Sequence, residues 1–111
     1  MTYVNKSLIP GTVLTDAQTT QYTATNVTAI IDKFTAANFG VSAAVMSVNL
    51  VKPATAASNE NIVIVTKTLQ AGETYLCPEI VGHNLPPGGF VSTLASIPNS
   101  ITINMSGREV S

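Results

Sequence analysis

The strongest constraint on the fold is an alternation of apolar and polar side chains with a period of two. In residues 44–50, one face carries only apolar side chains, namely Ala44, Met46, Val48 and Leu50. The opposite face carries Val45, Ser47 and Asn49. Because successive side chains of a strand point to opposite sides, this pattern predicts a half-buried β-strand.

Seven further segments carry strand patterns, at residues 12–15, 18–23, 28–37, 62–68, 74–77, 90–95 and 100–106. Residues 62–68 are β-branched almost throughout, which predicts a strand covered on both faces. Along residues 28–37 we expect Ile30 and Phe34 on one face. Ile31 and Lys33 are expected on the other face. About eight short strands, separated by Gly, Pro and Asn, predict an all-β fold, an antiparallel β-sandwich of the jelly-roll type.

The length of 111 residues predicts one domain with one hydrophobic core. We assign residues 11–106 to the β-sandwich, residues 1–10 to an N-terminal arm and residues 107–111 to a C-terminal tail. Both ends are expected either to order against neighbouring subunits or to fray. The first residues lack a signal-peptide pattern, and Cys77 is the single cysteine. Both features predict synthesis in a reducing cytoplasm.

Charge is scarce in this chain. Asp, Glu, Lys and Arg make up 10% of the residues, against about 25% in an ordinary globular domain. The net charge of −1 gives a phosphate backbone no basic surface, so no nucleic-acid partner is predicted. Residues 34–51 are interrupted by Asn, Gly and Ser, which argues against a membrane span. So neutral a surface predicts burial against other subunits, with a weakly charged monomer as the alternative.

The sequence offers few groups that could carry chemistry. His83 is the only histidine, and Ser92, Cys77 and Glu79 are its nearest candidate partners along the chain. Zinc requires more Cys and His ligands than the chain has, and the acidic residues are scattered singly rather than clustered as a calcium site needs. We therefore predict no catalytic, cofactor-binding or metal-binding residues and no enzyme activity.

His83 opens the segment HNLPPGGFVS, which predicts a corner between two strands because Pro and Gly suit a tight turn. The segment LQAGETY at residues 69–75 repeats the spacing of Leu, Gly and an aromatic residue without any His or Pro. We therefore expect His83 in a turn or an interface. Cys77 is expected to be a small buried apolar residue. Two alternatives stay open: a hydrolase that uses His83, and a carbohydrate-binding module that uses the six scattered aromatic residues.

Four segments carry a resemblance to a known group of proteins. They are PGTVLT at residues 10–15, TLQAGETY at 68–75, EIVGH at 79–83 and SGREV at 106–110. With the neutral surface rich in Thr, Ala and Asn, they resemble small structural proteins of tailed bacteriophage particles. Within that group the chain is similar to the capsid decoration proteins, also called cement or staple proteins, on the heads of short-tailed phages.

This resemblance implies a virion structural protein on the outer surface of the capsid. Such a protein would associate with itself, as a dimer or alternatively a trimer, and would clamp adjacent major capsid protein subunits against the pressure of the packaged DNA. No enzyme activity, cofactor or membrane partner is implied, and no site residue is carried over. A β-module of the tail, fibre or neck that takes part in attachment is the alternative function.

Overall fold

A computed structural model describes residues 2–111 and shows nine β-strands. They are β1 (Tyr3–Val13), β2 (Thr19–Thr23), β3 (Thr28–Asn38), β4 (Ala44–Val51), β5 (Ile62–Leu69), β6 (Thr74–Tyr75), β7 (Asn84–Leu85), β8 (Phe90–Ala95) and β9 (Ile101–Val110). Residues 2–111 contain no helix, and therefore no helix that could cross a membrane. The predicted all-β class is confirmed.

Two antiparallel sheets pack against each other. The first has the order β1-β9-β3-β6, with β7 also paired to β3, and the second has the order β2-β8-β4-β5. The ladders join β1 to β9, β2 to β8, β3 to both β6 and β7, and β4 to β5. The chain therefore behaves as one long hairpin, with its tip between β4 and β5, that is rolled into a sandwich. This is the jelly-roll arrangement that the strand count predicts.

The alternation along β4 sets which side of its sheet faces the core. Ala44, Met46 and Val48 are at most 1% exposed and lie opposite apolar side chains of the other sheet. Ser47 and Asn49 occupy the outward positions, in register with Leu94 and Ser92 of β8. The strand predicted at residues 44–50 is thus confirmed, with its apolar side chains on the buried face.

The faces predicted for β3 are wrong because the strand contains a β-bulge. Its register with β9 shifts between Ile31 and Lys33, so one extra residue, Asp32, stands out of the ladder. A bulge reverses the alternation of the side chains that follow it. As a result Ile31 and Phe34, predicted on opposite faces, are both fully buried in the core.

The prediction that residues 62–68 are covered on both faces is also wrong. These residues form β5, which lies at the edge of its sheet, and Val65 is 63% exposed. The β-branched pattern locates the strand correctly but contains no signal for its position in the sheet. Because successive side chains point to opposite faces, the buried Ile64 places Val65 on the outward side of the sheet, which no second layer covers.

Most of the residues assigned to the arm and the tail lie in β-strands. Residues 3–10 belong to β1 and residues 107–110 to β9, and the two strands pair from Tyr3 opposite Val110 onward. Met1 lies outside the described residues. Most side chains of β1 are exposed, so its sequence is polar and lacks the alternation that indicates a strand. The strand is held by backbone hydrogen bonds to β9, which an alternation of side chains does not indicate.

Gly107 allows β9 to sit close to β3. A Cβ atom at this position would lie 2.0 Å from the backbone oxygen of Ile30 and 3.1 Å from the Leu8 side chain. A backbone oxygen in a sheet cannot swing away as the end of a flexible side chain can. Glycine is therefore required at this point by the approach of the neighbouring strand.

We expect Gly107→Ala to lower the free energy of unfolding by about 3 kcal/mol, because the added methyl group overpacks the ladder between β9 and β3. Urea denaturation followed by circular dichroism measures this change. Ser106→Ala, at the adjacent exposed position, is the matched control and should change stability little. Equal stability of the two variants would contradict the close approach at Gly107.

Candidate interaction surface

The segment His83–Ser92 forms a corner between the two sheets. Strand β7 ends at Leu85, and the backbone nitrogen of Gly89 donates a hydrogen bond to the Pro86 oxygen at 2.8 Å. Gly88 has a φ angle of 89°, the left-handed conformation that glycine tolerates best. A similar turn closes at Glu73, whose nitrogen donates to the Gln70 oxygen at 3.0 Å. Both glycine-containing segments therefore turn the chain, as the sequence predicts.

The four candidate chemical residues are not brought together. Cys77 is fully buried, and burial, helped by nearby Glu79, raises the pKa of its thiol to about 12. The Glu79 carboxylate accepts a hydrogen bond from the Tyr75 hydroxyl at 2.6 Å, and this bond lowers the pKa of Glu79. Ser92 is buried on β8. His83 is exposed and lines a cavity that none of the other three residues lines.

The outward side of the sheet β2-β8-β4-β5 carries a groove. Two cavities of about 410 and 260 Å³ share Ser47 of β4 and Leu94 of β8 in their walls, so they form one continuous depression. The full set of lining residues is Asp16, Gln18, Val45, Ser47, Asn49, Ala57, Ser58, Asn59, Ile62, Thr66, Leu94, Ala95 and Ser96. We call this surface the neutral face. Among the described residues that line it, only Asp16 carries a formal charge.

Hydrogen bonds between amide and hydroxyl groups hold one half of the neutral face. Gln18 Nε2 donates to Ser92 Oγ at 2.8 Å and to Asn49 Oδ1 at 3.5 Å. Asn49 Nδ2 donates to the Ser58 oxygen at 2.9 Å and to Asn61 Oδ1 at 2.7 Å. These bonds connect Gln18, which precedes β2, with β8, β4 and the loop at residues 52–61. The polar groups are therefore held in place by contacts within the chain.

Three outward-facing polar residues of the strands, Ser47, Asn49 and Thr102, differ in accessibility. Ser47 lies in the groove wall, where its Oγ accepts a hydrogen bond from the Thr66 backbone nitrogen at 3.1 Å. Thr102 is half-buried on the first sheet, in register with Val13 and Ala37. Asn49 is only 4% exposed, because the loop at residues 52–61 covers it. The alternation along β4 places Asn49 on the outward side, but it does not reveal the loop that folds over this residue.

Charged side chains gather instead where β1, β3 and β9 meet. Lys6 Nζ lies 3.3 Å from Glu109 Oε1, and Arg108 Nη2 lies 3.0 Å from Asp32 Oδ1. Tyr22 of the other sheet also donates to Glu109 at 2.5 Å, and this bond is the main cause of the lowered pKa of Glu109. Four of the charged side chains of the protein thus pair in this region. None of these four lines the neutral face.

Within residues 2–111, no group of three or more His, Cys, Asp or Glu side chains is placed to hold a metal ion. Comparisons with protein-family models, with curated proteins and with solved structures found no match to this chain.

We expect Asn49→Ala to lower the free energy of unfolding by about 2 kcal/mol, because it leaves buried hydrogen-bonding groups unpaired. Loss of the two donated bonds should also free the loop at residues 52–61 and speed its cleavage by a nonspecific protease. Thermal denaturation and limited proteolysis measure the two effects. Thr20→Ala, on an exposed position of β2, is the control. An unchanged cleavage rate for Asn49→Ala would contradict the anchoring role.

Proposed function

We propose that this chain is a virion structural protein that decorates a bacteriophage head and stabilises it by binding across major capsid subunits. The observation that carries the proposal is the neutral face, a groove with fixed amide and hydroxyl groups and one charged residue in its lining. The segments that resemble decoration proteins and the jelly-roll fold add support. On this proposal the protein is made in the host cytoplasm and acts on the outer surface of the capsid.

A neutral face suits binding by burial of surface. Removing charged groups from water costs free energy unless each finds a partner, and here almost none has to be removed. A contact of about 800 Å² per partner is the usual size for a specific interface. A protein that bridges two or more subunits gains further, because the second contact forms at a high effective concentration. Modest contacts of this kind, repeated over a shell, would resist expansion from within.

Self-association is the second part of the proposal, and the free edge of β1 supports it. The backbone groups of Thr2 and Ser111 exchange two hydrogen bonds of 2.8 and 3.0 Å. Because bonded pairs alternate along an antiparallel ladder, the backbone groups of Tyr3, Asn5 and Ser7 point away from β9. They form a row of donors and acceptors that a second copy of the chain could pair with.

The same stretch of β1 can pair with itself about a twofold axis at Asn5. In that register Tyr3 faces Ser7 of the second copy and Val4 faces Lys6, so no like charges lie opposite each other. The two register shifts of β1 against β9 lie beyond Ser7, so residues 3–7 are uninterrupted. The other edges suit pairing less well, because β2 has a register shift within its five residues, β5 has two against β4, and β6 and β7 have two residues each. Bulged and very short edge strands resist pairing.

Substitutions with lysine on the two outward surfaces test the capsid contact. We expect Ser47→Lys and Leu94→Lys to weaken binding to isolated phage heads that lack this protein at least tenfold, since each places an unpaired charge in the interface. Thr102→Lys, on the outward side of the other sheet, is the matched control and should bind normally. Cosedimentation with heads measures binding, and circular dichroism checks the fold. Normal binding by both groove variants would refute the assignment of the neutral face.

The edge of β1 is tested by removing one outward donor. Asn5→Pro lacks the free backbone N–H but leaves the bonds to β9 in place, so we expect a monomer where the native chain is a dimer. Asn5→Ala keeps the N–H and should remain associated. Analytical ultracentrifugation gives the oligomeric state. A dimer that persists in Asn5→Pro would exclude β1 as the contact.

A module of the tail, fibre or neck that binds carbohydrate is the second candidate. The smaller cavity favours it in one respect, because Gln18, Ser47, Asn49 and Ser58 offer amide and hydroxyl groups suited to sugar hydroxyls. However, none of the described residues that line the groove is aromatic, and sugar sites generally use an aromatic side chain for stacking. Binding to a glycan array without retention on heads would favour this candidate over the first.

A further inference from the structure

A separate cleft opens at one side of the sandwich, between the edge strands β5 and β7. It has a volume of about 310 Å³, and we call it the side cleft. Its lining comes from both sheets: Leu50, Val51, Lys52 and Val63 from the second, and His83, Asn84, Leu85 and Pro86 from the first and the turn that follows it. None of these residues lines the neutral face, so the side cleft is independent of the proposed capsid contact.

The floor of the side cleft is apolar and continuous with the core. Leu85 is 2% exposed and belongs to the core cluster, and Leu50 and Val63 are partly buried and pack against it. Pro86 adds a further apolar wall. A ligand with a hydrocarbon chain could therefore leave water and contact side chains of both sheets.

Three side chains of the side cleft, those of Lys52, His83 and Asn84, can donate hydrogen bonds, and no acidic residue lines the cleft. Neither Lys52 nor His83 forms an ion pair with another described residue. Glu60 lies with Lys52 along a different cavity, in the loop at residues 52–61, without coming within ion-pair distance of it. The donors therefore lack an anionic partner within the chain.

The same side of the sandwich is charge-compensated farther along β5. Lys67 Nζ lies 4.6 Å from the centre of the Tyr75 ring, a cation–π contact that joins β5 to β6. The Tyr75 hydroxyl donates to Glu79, and the positive charge of Lys67 helps to lower the pKa of that carboxyl group. The positive charge of Lys67 thus has an aromatic ring and a carboxylate near it. The side cleft, with Lys52 and His83, has no acidic residue in its lining.

We propose that the side cleft binds an alkyl carboxylate of about six to eight carbons. The hydrocarbon chain lies on Leu50, Val63 and Leu85, and the carboxylate accepts hydrogen bonds from Lys52 and His83. A ligand in this position touches both sheets, so its binding stabilises the folded chain by mass action. This site stands whether or not the chain decorates a capsid.

Titration of the ¹⁵N-labelled protein with octanoate tests the site. We expect saturable shifts of the backbone amides around Val63 and residues 83–85, together with a rise in the melting temperature. Hexanoate should bind about tenfold more weakly, because it lacks two buried methylene groups. Octylammonium, with the same chain and the opposite charge, should leave these amides unchanged. Equal binding of octanoate and octylammonium, or shifts that map elsewhere, would overturn the proposal.

Two variants separate the site from nonspecific binding of an amphiphile. Lys52→Gln should weaken octanoate binding about threefold to fivefold, the loss typical of an exposed charge partner. Lys33→Gln, on the exposed side of β3, removes the same charge away from the cleft and should not change the affinity. An equal loss in both variants would show that only net charge matters and would refute the cleft. Val63→Trp, which fills the cleft, should abolish binding while the fold persists by circular dichroism.

Discussion

Strand β9 is the constraint on which the rest of the first sheet depends. It pairs along its length with β1 on one side and with β3 on the other, and so joins the two ends of the chain to its middle. The close approach at Gly107 and the ion pairs of Lys6 with Glu109 and of Arg108 with Asp32 all lie on this strand. Because the ends are joined, the long hairpin closes into a sandwich without a disulfide, and Cys77 stays a buried thiol.

This arrangement also divides the surface by chemistry. Two ion pairs lie around β9, while the outward side of the sheet β2-β8-β4-β5 keeps amides and hydroxyls that bond among themselves. A surface that has already satisfied its own polar groups costs little to cover. The proposed functions follow from that division: burial against subunits on the neutral face, and binding of a small anion in the side cleft, where donors lack a partner.

The sequence predicts the strands better than their surroundings. The alternation at residues 44–50 identifies the buried side of β4 correctly, because alternation is a local property of a strand. It misjudges β3, where the bulge at Asp32 reverses the faces, and β5, where no second layer covers the outward-facing Val65. The sequence does not predict most of the polar strand β1, because the strand depends on pairing with β9 at the far end of the chain.

By itself, the sequence determined the all-β class, the main strands, the turns at Gly72 and Gly88, and the scarcity of charge, since each depends on residues close together in the chain. Only the tertiary structure decided which polar side chains meet. Gln18, Ser92 and Asn49 form one network, and Lys52 and His83 share one cleft, although long stretches of chain separate them. The physical reason is that rolling the hairpin brings together strands that are distant in the chain. The alternation of side chains within one strand does not indicate which other strand it will pair with.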